Sequence, residues 1–202
     1  MSAGLRVPTA AGLADRVHDS QRIFRALLRA MSQPASAMEL PAVTVPPWPL
    51  GLAAGAAALT LADRDTPVWL DAALADNSAV GDWLRFHCGC PLVASPSAAT
   101  FALVGEATTM PQFERFAAGD ELYPDTSTTV IVEVASLCRG LTLRATGPGI
   151  RETASLSIAG LPEWFVGAWA ANRARFPLGI DVFLTSGRWL AGLPRSTSLE
   201  TA

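Results

Sequence analysis

Three soft metal ligands lie within four positions of the chain, at His87, Cys88 and Cys90. Structural zinc sites use four such ligands, usually as two pairs of cysteine or histidine residues. The remaining ligands of this kind, Cys138 and His18, lie far away in the sequence. Free cysteine is also among the most buried residue types in proteins. We therefore interpret the thiols as packed side chains at a helix end and predict no metal site.

The turn at 63–67 carries a second candidate site, in which Asp63, Asp65 and Thr66 precede Pro67. Two carboxylates two residues apart can hold Mg²⁺ or act as acid and base. Asp and Thr side chains also satisfy backbone groups within turns. Because nothing else in the local sequence completes a metal site, we favour the structural interpretation.

Nucleophilic catalysis needs a histidine base within reach of a serine or cysteine. The chain has two histidines, His18 and His87, and it lacks the G-x-S-x-G nucleophile elbow. His87 is the better candidate base, although a packed residue at a helix end is the simpler interpretation. The residues alone therefore indicate no self-sufficient active site.

All 15 basic residues are arginine, so the chain has no lysine. A Schiff base with pyridoxal phosphate needs a lysine amine, and a Walker A phosphate loop needs its lysine. We therefore expect that this chain itself binds no cofactor, pyridoxal phosphate included. Arginine can still bind phosphate or carboxylate through two parallel hydrogen bonds.

The 202 residues are 50% hydrophobic and 16% charged, with a formal net charge of −3. A mildly acidic chain without a basic cluster is not expected to bind nucleic acid or an anionic membrane. The longest nearly apolar run, 50–62, is shorter than the ~18 residues of a membrane span. Residues 1–13 lack the basic and apolar regions of a signal peptide, and three cysteines are too few for a disulfide scaffold. We therefore expect a cytoplasmic protein with free thiols.

Hydrophobic spacing predicts alternating helices and strands over much of the chain. The predicted helices cover 15–33, 50–61, 76–87 and 162–175. The predicted strands cover 38–40, 68–70, 100–104, 128–134, 141–144, 180–185 and 188–193, the last two as a hairpin. This order predicts a three-layer α/β/α fold with a mixed sheet, helices on both faces and an antiparallel part near the C-terminus. We expect one domain over 1–202, with residues 1–14 and 194–202 as loose tails.

Several segments resemble one family in their order and approximate spacing. They include FRALLRAMSQP at 24–34, LTLADRDTPVWL at 59–70, LRFH at 84–87 and PLV at 91–93. The most specific segments are FPLGIDVFLT at 176–185 and LPRST at 193–197. Together they resemble PhnH, a subunit of the bacterial carbon–phosphorus lyase machinery for phosphonate use. Ala35 departs from the family pattern, in which glycine is expected at this position. Cys88 and Cys90 are not part of the pattern either, which favours thiols without a function.

The resemblance implies a fold like the large domain of pyridoxal-phosphate-dependent transferases, without the cofactor. It also implies a role within a core complex of subunits G, H, I and J, in which this chain is the H subunit. That complex is associated with replacing the adenine of ATP by an alkylphosphonate, which gives a ribose 1-phosphonate 5-triphosphate. ATP and Mg²⁺ are thus expected to be used by the complex, while the resemblance assigns no catalytic residue to this chain.

Two functional hypotheses remain. In the first, the chain is a non-autonomous subunit of that complex, and its scarcity of bases, nucleophiles and lysine favours this hypothesis. In the second, it is a stand-alone homodimeric enzyme or ligand-binding protein that acts on a small molecule, with a pocket near Asp63, Thr66, Arg85 and Arg195. The candidate ligand- or partner-binding residues are Asp63, Thr66, Arg85, His87 and Arg195.

Surface features favour assembly with other chains. Trp48 and Trp189 lie outside the core-facing patterns, and interfaces are enriched in Trp, Phe and Arg. We expect a homodimer when the protein is alone and a hetero-oligomer when the other subunits are present. Arg195 follows Pro194 in a segment with an exposed character, so we expect it to contact a partner or an anion. We also expect its removal to cost little stability.

Overall fold

Five α-helices and ten β-strands form within residues 10–202, the part of the chain that the computed structural model describes. The helices are α1 (Arg16–Ser32), α2 (Leu52–Leu61), α3 (Ala72–Ala75), α4 (Ser78–Cys88) and α5 (Phe165–Ala174). The strands are β1 (Met38–Glu39), β2 (Val68–Leu70), β3 (Leu92–Val93), β4 (Phe101–Val104), β5 (Thr129–Glu133), β6 (Ser136–Thr146), β7 (Ala154–Ala159), β8 (Asp181–Ser186), β9 (Trp189–Leu193) and β10 (Ser198–Thr201). Residues 1–9, most of the predicted N-terminal tail, lie outside the described residues.

The larger sheet has seven strands in the order β1-β9-β8-β5-β4-β2-β3. Strands β3, β2, β4, β5 and β8 run parallel, and β9 and then β1 join by antiparallel pairing. In the central strand β5, Val130, Ile131 and Val132 are all buried, as expected of a parallel strand that is covered on both faces. The predicted mixed sheet and its C-terminal hairpin are confirmed.

Helices α1, α2 and α4 cover one face of this sheet. Every residue of α2 from Ala53 to Ala58 is buried, because alanine and glycine let the helix lie closely between its neighbours. Asp15 caps α1, Asn77 caps α4, and Gly89 ends α4 with a φ of +71°. The predicted ends of these three helices are confirmed to within two residues. No helix in residues 10–202 combines the length and the apolar character that crossing a membrane requires.

A second sheet and α5 cover the opposite face. This three-stranded antiparallel sheet has the order β10-β6-β7, and its apolar side chains share a core with α5 and with the main sheet. The predicted helix on this face is present as α5, but the prediction of a purely helical layer is wrong, since a sheet forms much of it. The sequence predicts only 141–144 of this sheet, because β6 shifts register between Ser136 and Leu141 and its exposed middle breaks the alternating pattern.

Residues 194–202 are not the loose tail that the sequence predicts. Their last part forms β10, which pairs with β6, and Leu199 of this strand is buried. The indole of Trp169 also donates a hydrogen bond to the Thr197 carbonyl at 2.8 Å. The small polar residues of this segment give no strand pattern by themselves, and β10 forms because β6 offers it an edge to pair with.

Candidate functional site

A groove of about 490 Å³ opens at the edge of the main sheet, where the parallel strands β2 and β3 end. Its volume lies in the range of small-molecule sites. Ligands of α/β proteins commonly bind beyond the carboxyl ends of parallel strands, which is where this groove lies. Its lining includes Trp69, Leu70, Ser78, Arg85, Leu92 and Val93.

Arg85 supplies the positive charge in that lining. Its Nη1 lies 3.4 Å from Asp82 Oδ1, and the two side chains are 59% and 72% exposed. An exposed pair of this kind contributes at most about 1 kcal/mol, so an anion can displace Asp82 at little cost. The groove can therefore bind an anion that also carries an apolar part, with Arg85 as its counter-charge.

The carboxylate of Asp71, which the sequence patterns do not single out, is buried at the end of β2. Its Oδ1 accepts a hydrogen bond from the Leu74 amide and its Oδ2 accepts one from the Gly105 amide, both at 3.0 Å. Burial raises the pKa of Asp71 above its ordinary value of 3.8, against the opposite effect of the two amides. Asp71 therefore caps α3 and ties β2 to the end of β4 beside the groove. An Asp between a buried strand and an alanine-rich turn is the capping signal that could have identified it.

His87 lies in a separate cavity of about 120 Å³, which Arg16 and Leu59 also line. His87 Nε2 lies 2.9 Å from the Ala10 carbonyl oxygen, and Trp83 Nε1 donates to the same oxygen at 3.0 Å. These contacts anchor the N-terminal end of the described chain on α4. Within the described residues, neither His87 nor the exposed histidine on α1 is hydrogen-bonded to a serine or a cysteine.

Asp63 and Thr66 lie in an exposed turn between α2 and β2. Asp63 Oδ1 accepts hydrogen bonds from the Thr66 hydroxyl at 2.6 Å and from the Asp65 amide at 3.0 Å. These bonds, that of Thr66 first, hold the pKa of Asp63 below its ordinary value of 3.8. In residues 10–202, no three His, Cys, Asp or Glu side chains lie close enough together to hold a metal ion. The geometry of Asp63 is that of a turn-forming side chain.

Replacing Asp63 with asparagine should change the melting temperature by less than about 2 °C at pH 7, because the amide oxygen can accept the same two hydrogen bonds. The lowered pKa of Asp63 stabilises the folded protein above the ordinary pKa, and this contribution is lost as the pH falls through the lowered value. Any stability advantage of the wild type over Asp63→Asn should therefore shrink on acidification. Asp65→Asn serves as the control, because the Asp65 side chain takes no part in the two bonds that Asp63 accepts. Thermal unfolding at pH 7 and pH 3 measures both, and a fall of more than about 5 °C at pH 7 would contradict the turn role.

Arg195 lies in a hydrogen-bonded network at the start of β8. Its Nε and Nη2 donate to the two carboxylate oxygens of Asp181 at 3.2 and 2.5 Å, and Nη2 also donates to Ser127 Oγ at 2.5 Å. Its Nη1 donates to the carbonyls of Pro124 and Pro177 at 2.9 and 3.3 Å. All five guanidinium N–H groups thus have acceptors within the chain, and the side chain is only 13% exposed. The expectation that Arg195 lies in an exposed segment is therefore wrong, and with it goes the reason to expect that its removal costs little stability.

The candidate residues do not converge on one pocket. Asp63 and Thr66 precede β2, Arg85 lines the groove beyond the other end of β2, and Arg195 lies at the start of β8. Strands β4 and β5 separate β2 from β8, which is a distance of three strand spacings, or about 14 Å. The structure therefore associates only Arg85 with the groove.

Most of the chain is similar to proteins of bacterial phosphonate metabolism. Residues 11–200 match the family model described as bacterial phosphonate metabolism protein (PhnH). The chain is 44% identical over 187 residues, 93% of each chain, to the α-D-ribose 1-methylphosphonate 5-triphosphate synthase subunit PhnH of Rhizobium meliloti (strain 1021). Over 78 residues, 38% of this chain and 40% of the other, it is 40% identical to HtxG of Stutzerimonas stutzeri, whose name marks it as a candidate C-P lyase subunit. The chain therefore belongs to the PhnH family of bacterial phosphonate metabolism proteins.

Proposed function

We propose that the chain is a non-autonomous subunit of the assembly that makes α-D-ribose 1-methylphosphonate 5-triphosphate in phosphonate catabolism. The observation that carries this proposal is the 44% identity to the Rhizobium meliloti subunit over 93% of both chains. In this reaction an alkylphosphonate replaces the adenine of ATP on the ribose. ATP and the phosphonate are substrates of the whole assembly, and Mg²⁺ accompanies the triphosphate.

The side-chain chemistry of the chain supports a dependent role. Without a lysine the chain cannot form an aldimine with pyridoxal phosphate, so we propose that it binds none covalently. His87 is engaged with the Ala10 carbonyl, and Arg195 uses its donors within the fold. The reacting groups therefore come from the other subunits, which the resemblance names G, I and J.

The groove beside Arg85 gives this subunit a part in substrate binding. Both substrates of the reaction are anions, and ATP also carries an aromatic base and a ribose. A groove with one accessible guanidinium and apolar strand residues such as Trp69 and Leu92 suits that combination. We propose that Arg85 holds a phosphate or phosphonate group there while the other subunits carry out the reaction.

Exposed apolar side chains support assembly with partners. On the outer side of α1, Val17, Phe24 and Leu28 are 74%, 50% and 60% exposed, and their spacing places them on one side of the helix. Trp48 is 82% exposed in its proline-rich loop. Large apolar side chains in groups on a surface mark interaction sites. We propose a homodimer for the isolated chain and a hetero-oligomer with the other subunits.

The fold and the cellular compartment complete the proposal. The seven-stranded mixed sheet supports a relationship to the large domain of pyridoxal-phosphate-dependent transferases. The use of ATP by the assembly and the free thiols of all three cysteines support a cytoplasmic location. Neither statement is needed for the subunit role.

Co-expression with the other subunits tests the proposal. With a tag on one partner, we expect this chain to co-purify as a stable hetero-oligomer, with the mass measured by gel filtration and light scattering. The assembly should convert ATP and methylphosphonate into adenine and the ribose 1-methylphosphonate 5-triphosphate, and omission of this chain should abolish the product. A protein that stays free of every partner, or an assembly that is fully active without it, would favour the alternative of a stand-alone ligand-binding protein.

The Arg85→Ala variant tests the groove within the same assembly. A hydrogen bond to a charged group contributes about 1.5–3 kcal/mol, so we expect KM for one of the two substrates to rise by about 10- to 150-fold with little change in kcat. Arg64→Ala is the matched control, because the Arg64 side chain is 86% exposed and forms an ion pair with its neighbour Asp65 outside the groove. Equal kinetic constants for both variants, with assembly intact, would exclude Arg85 from substrate binding.

A further inference from the structure

Two thiols lie next to each other where α4 ends. Cys88 is the last residue of α4, and Cys90 follows Gly89, whose left-handed φ of +71° turns the chain. Cα atoms two residues apart cannot be separated by more than about 7 Å. Disulfides join Cα atoms about 4.4–6.8 Å apart, so the spacing along the chain permits a bond between the two cysteines.

Both side chains enter the same core between α4 and α2. Cys90 is buried there, and Cys88 packs against the same cluster while it remains partly exposed. The Cys88 sulfur lies 3.7 Å from the Ala58 carbonyl oxygen of α2. The two cysteines thus pack in one cluster on either side of Gly89, and Cys88 keeps contact with solvent.

The surroundings of the pair favour loss of one proton. Hydrogen bonding with the Cys88 thiol lowers the pKa of Cys90 despite its burial, and the positive charge of Arg85 adds to this effect. The same interaction, together with burial, raises the pKa of Cys88. One proton is therefore shared between the two sulfurs, and the thiolate is the form that reacts with disulfides.

We propose that Cys88 and Cys90 form a redox pair, which a small disulfide such as glutathione disulfide converts into an intramolecular disulfide. Cys88 is the accessible sulfur, and it becomes the attacking thiolate when the shared proton lies on Cys90. It attacks one sulfur of glutathione disulfide, whose S–S bond breaks and releases the first glutathione as a thiolate. Cys90 then loses its proton and attacks the Cys88 sulfur, which releases the second glutathione. Two protein thiols are oxidised, one disulfide is reduced, and the two protons end on the two glutathiones.

The reducing compartment expected for this protein and the position of the pair at the end of α4 both bear on its role. Disulfides in reducing compartments are mostly transient, catalytic or redox-sensing. The bond would form at the C-terminal end of α4, directly after His87, which anchors the N-terminal segment on that helix. Oxidation of the isolated protein can be measured without the substrates and without the other subunits.

The third cysteine, the exposed Cys138, lies on β6 beside Ser136 and is removed so that it cannot react in place of the pair. The experiment uses the full-length Cys138→Ser protein, which keeps both members of the pair. It is incubated with glutathione disulfide, and its intact mass and remaining alkylatable thiols are measured. We expect a mass lower by about 2 Da, no bound glutathione, no alkylatable thiol, and full reversal by dithiothreitol.

Two further variants in the Cys138→Ser background assign the roles of the sulfurs. Cys90→Ser should retain one glutathione at Cys88, because the second sulfur needed for release is missing. Cys88→Ser should stay unmodified, because Cys90 is buried. Thermal unfolding shows whether each variant is folded. Stable glutathione adducts on the protein that keeps both cysteines, or two thiols that remain free and alkylatable after prolonged incubation, would overturn the proposal.

Discussion

Replacing Arg195 with alanine is expected to lower the free energy of unfolding by about 3–5 kcal/mol, because it removes one partner of a largely buried ion pair. The side chains of Arg195 and Asp181 are 13% and 22% exposed, so solvent screens their attraction only weakly. The substitution also leaves the carbonyls of Pro124 and Pro177 without this donor. The segments around Pro124, Pro177 and Asp181 thus lose the side chain that hydrogen-bonds to all of them.

Two control substitutions separate this network from charge alone. Arg188→Ala removes an exposed pair with Glu39, whose atoms lie 3.2 Å apart, and should cost less than about 1 kcal/mol. Arg195→Lys keeps the charge but has three donors on a flexible stem, so we expect it to recover only part of the lost stability. Urea unfolding at equilibrium measures all three variants. If Arg195→Ala and Arg188→Ala cost the same, the network does not stabilise the fold.

The Arg195 network also bears on function. Its five donors are already used, so a partner or an anion would have to displace protein acceptors to bind there. Arg85 presents the opposite case, since its weak pair with Asp82 leaves the guanidinium available beside a groove. The two arginines cannot be told apart by residue type. They differ in the acceptor groups that distant segments of the chain place around each guanidinium.

Elements with a strong local signal are the ones that the sequence predicts correctly. The cap at Asp15 marks the start of α1, and the β-branched run of Val130 to Val132 marks the buried strand β5. Gly187, with a φ of +57°, marks the turn between β8 and β9. In each case a few neighbouring residues determine the backbone, so the pattern is visible without knowledge of the fold.

Elements that need a distant partner are the ones that the sequence patterns miss. Strand β10 has Leu199 as its one buried residue, and it is a strand because β6 lies beside it. The same dependence explains the unpredicted β7 and the part of β6 before Leu141. The candidate site has the same dependence on distant contacts. Residue type alone singles out Asp63, Arg85 and Arg195, and the fold places them at three separate positions.

Gly192 and Gly167 give the sharpest case, because the same substitution at each should have opposite effects. Gly192 lies in β9 where α1 crosses the strand, and a Cβ atom there would lie 2.5 Å from the Ala30 carbonyl oxygen. The Cβ is fixed to the strand backbone and the oxygen belongs to the helix backbone, so neither atom can rotate away. Gly192→Ala must therefore push α1 off the sheet, at a cost of about 2–3 kcal/mol. Gly167 lies on the exposed side of α5, where a Cβ atom would meet nothing within 4 Å.

Gly167→Ala should therefore raise the free energy of unfolding by about 0.5–1 kcal/mol, because alanine loses less conformational freedom in a helix than glycine. Equilibrium urea unfolding followed by tryptophan fluorescence gives both values, and equal m-values confirm that the denatured states are comparable. A Gly192→Ala protein as stable as the wild type would show that α1 does not contact β9 as closely as described, and a destabilising Gly167→Ala would contradict the open position of Gly167. The contact is also where the fold brings α1 to the C-terminal hairpin: the Ala35 amide, just beyond α1, donates to the Gly192 carbonyl at 3.1 Å. A methyl group at this crossing would thus disturb the helical layer and the hairpin together, which is why the larger effect is expected there.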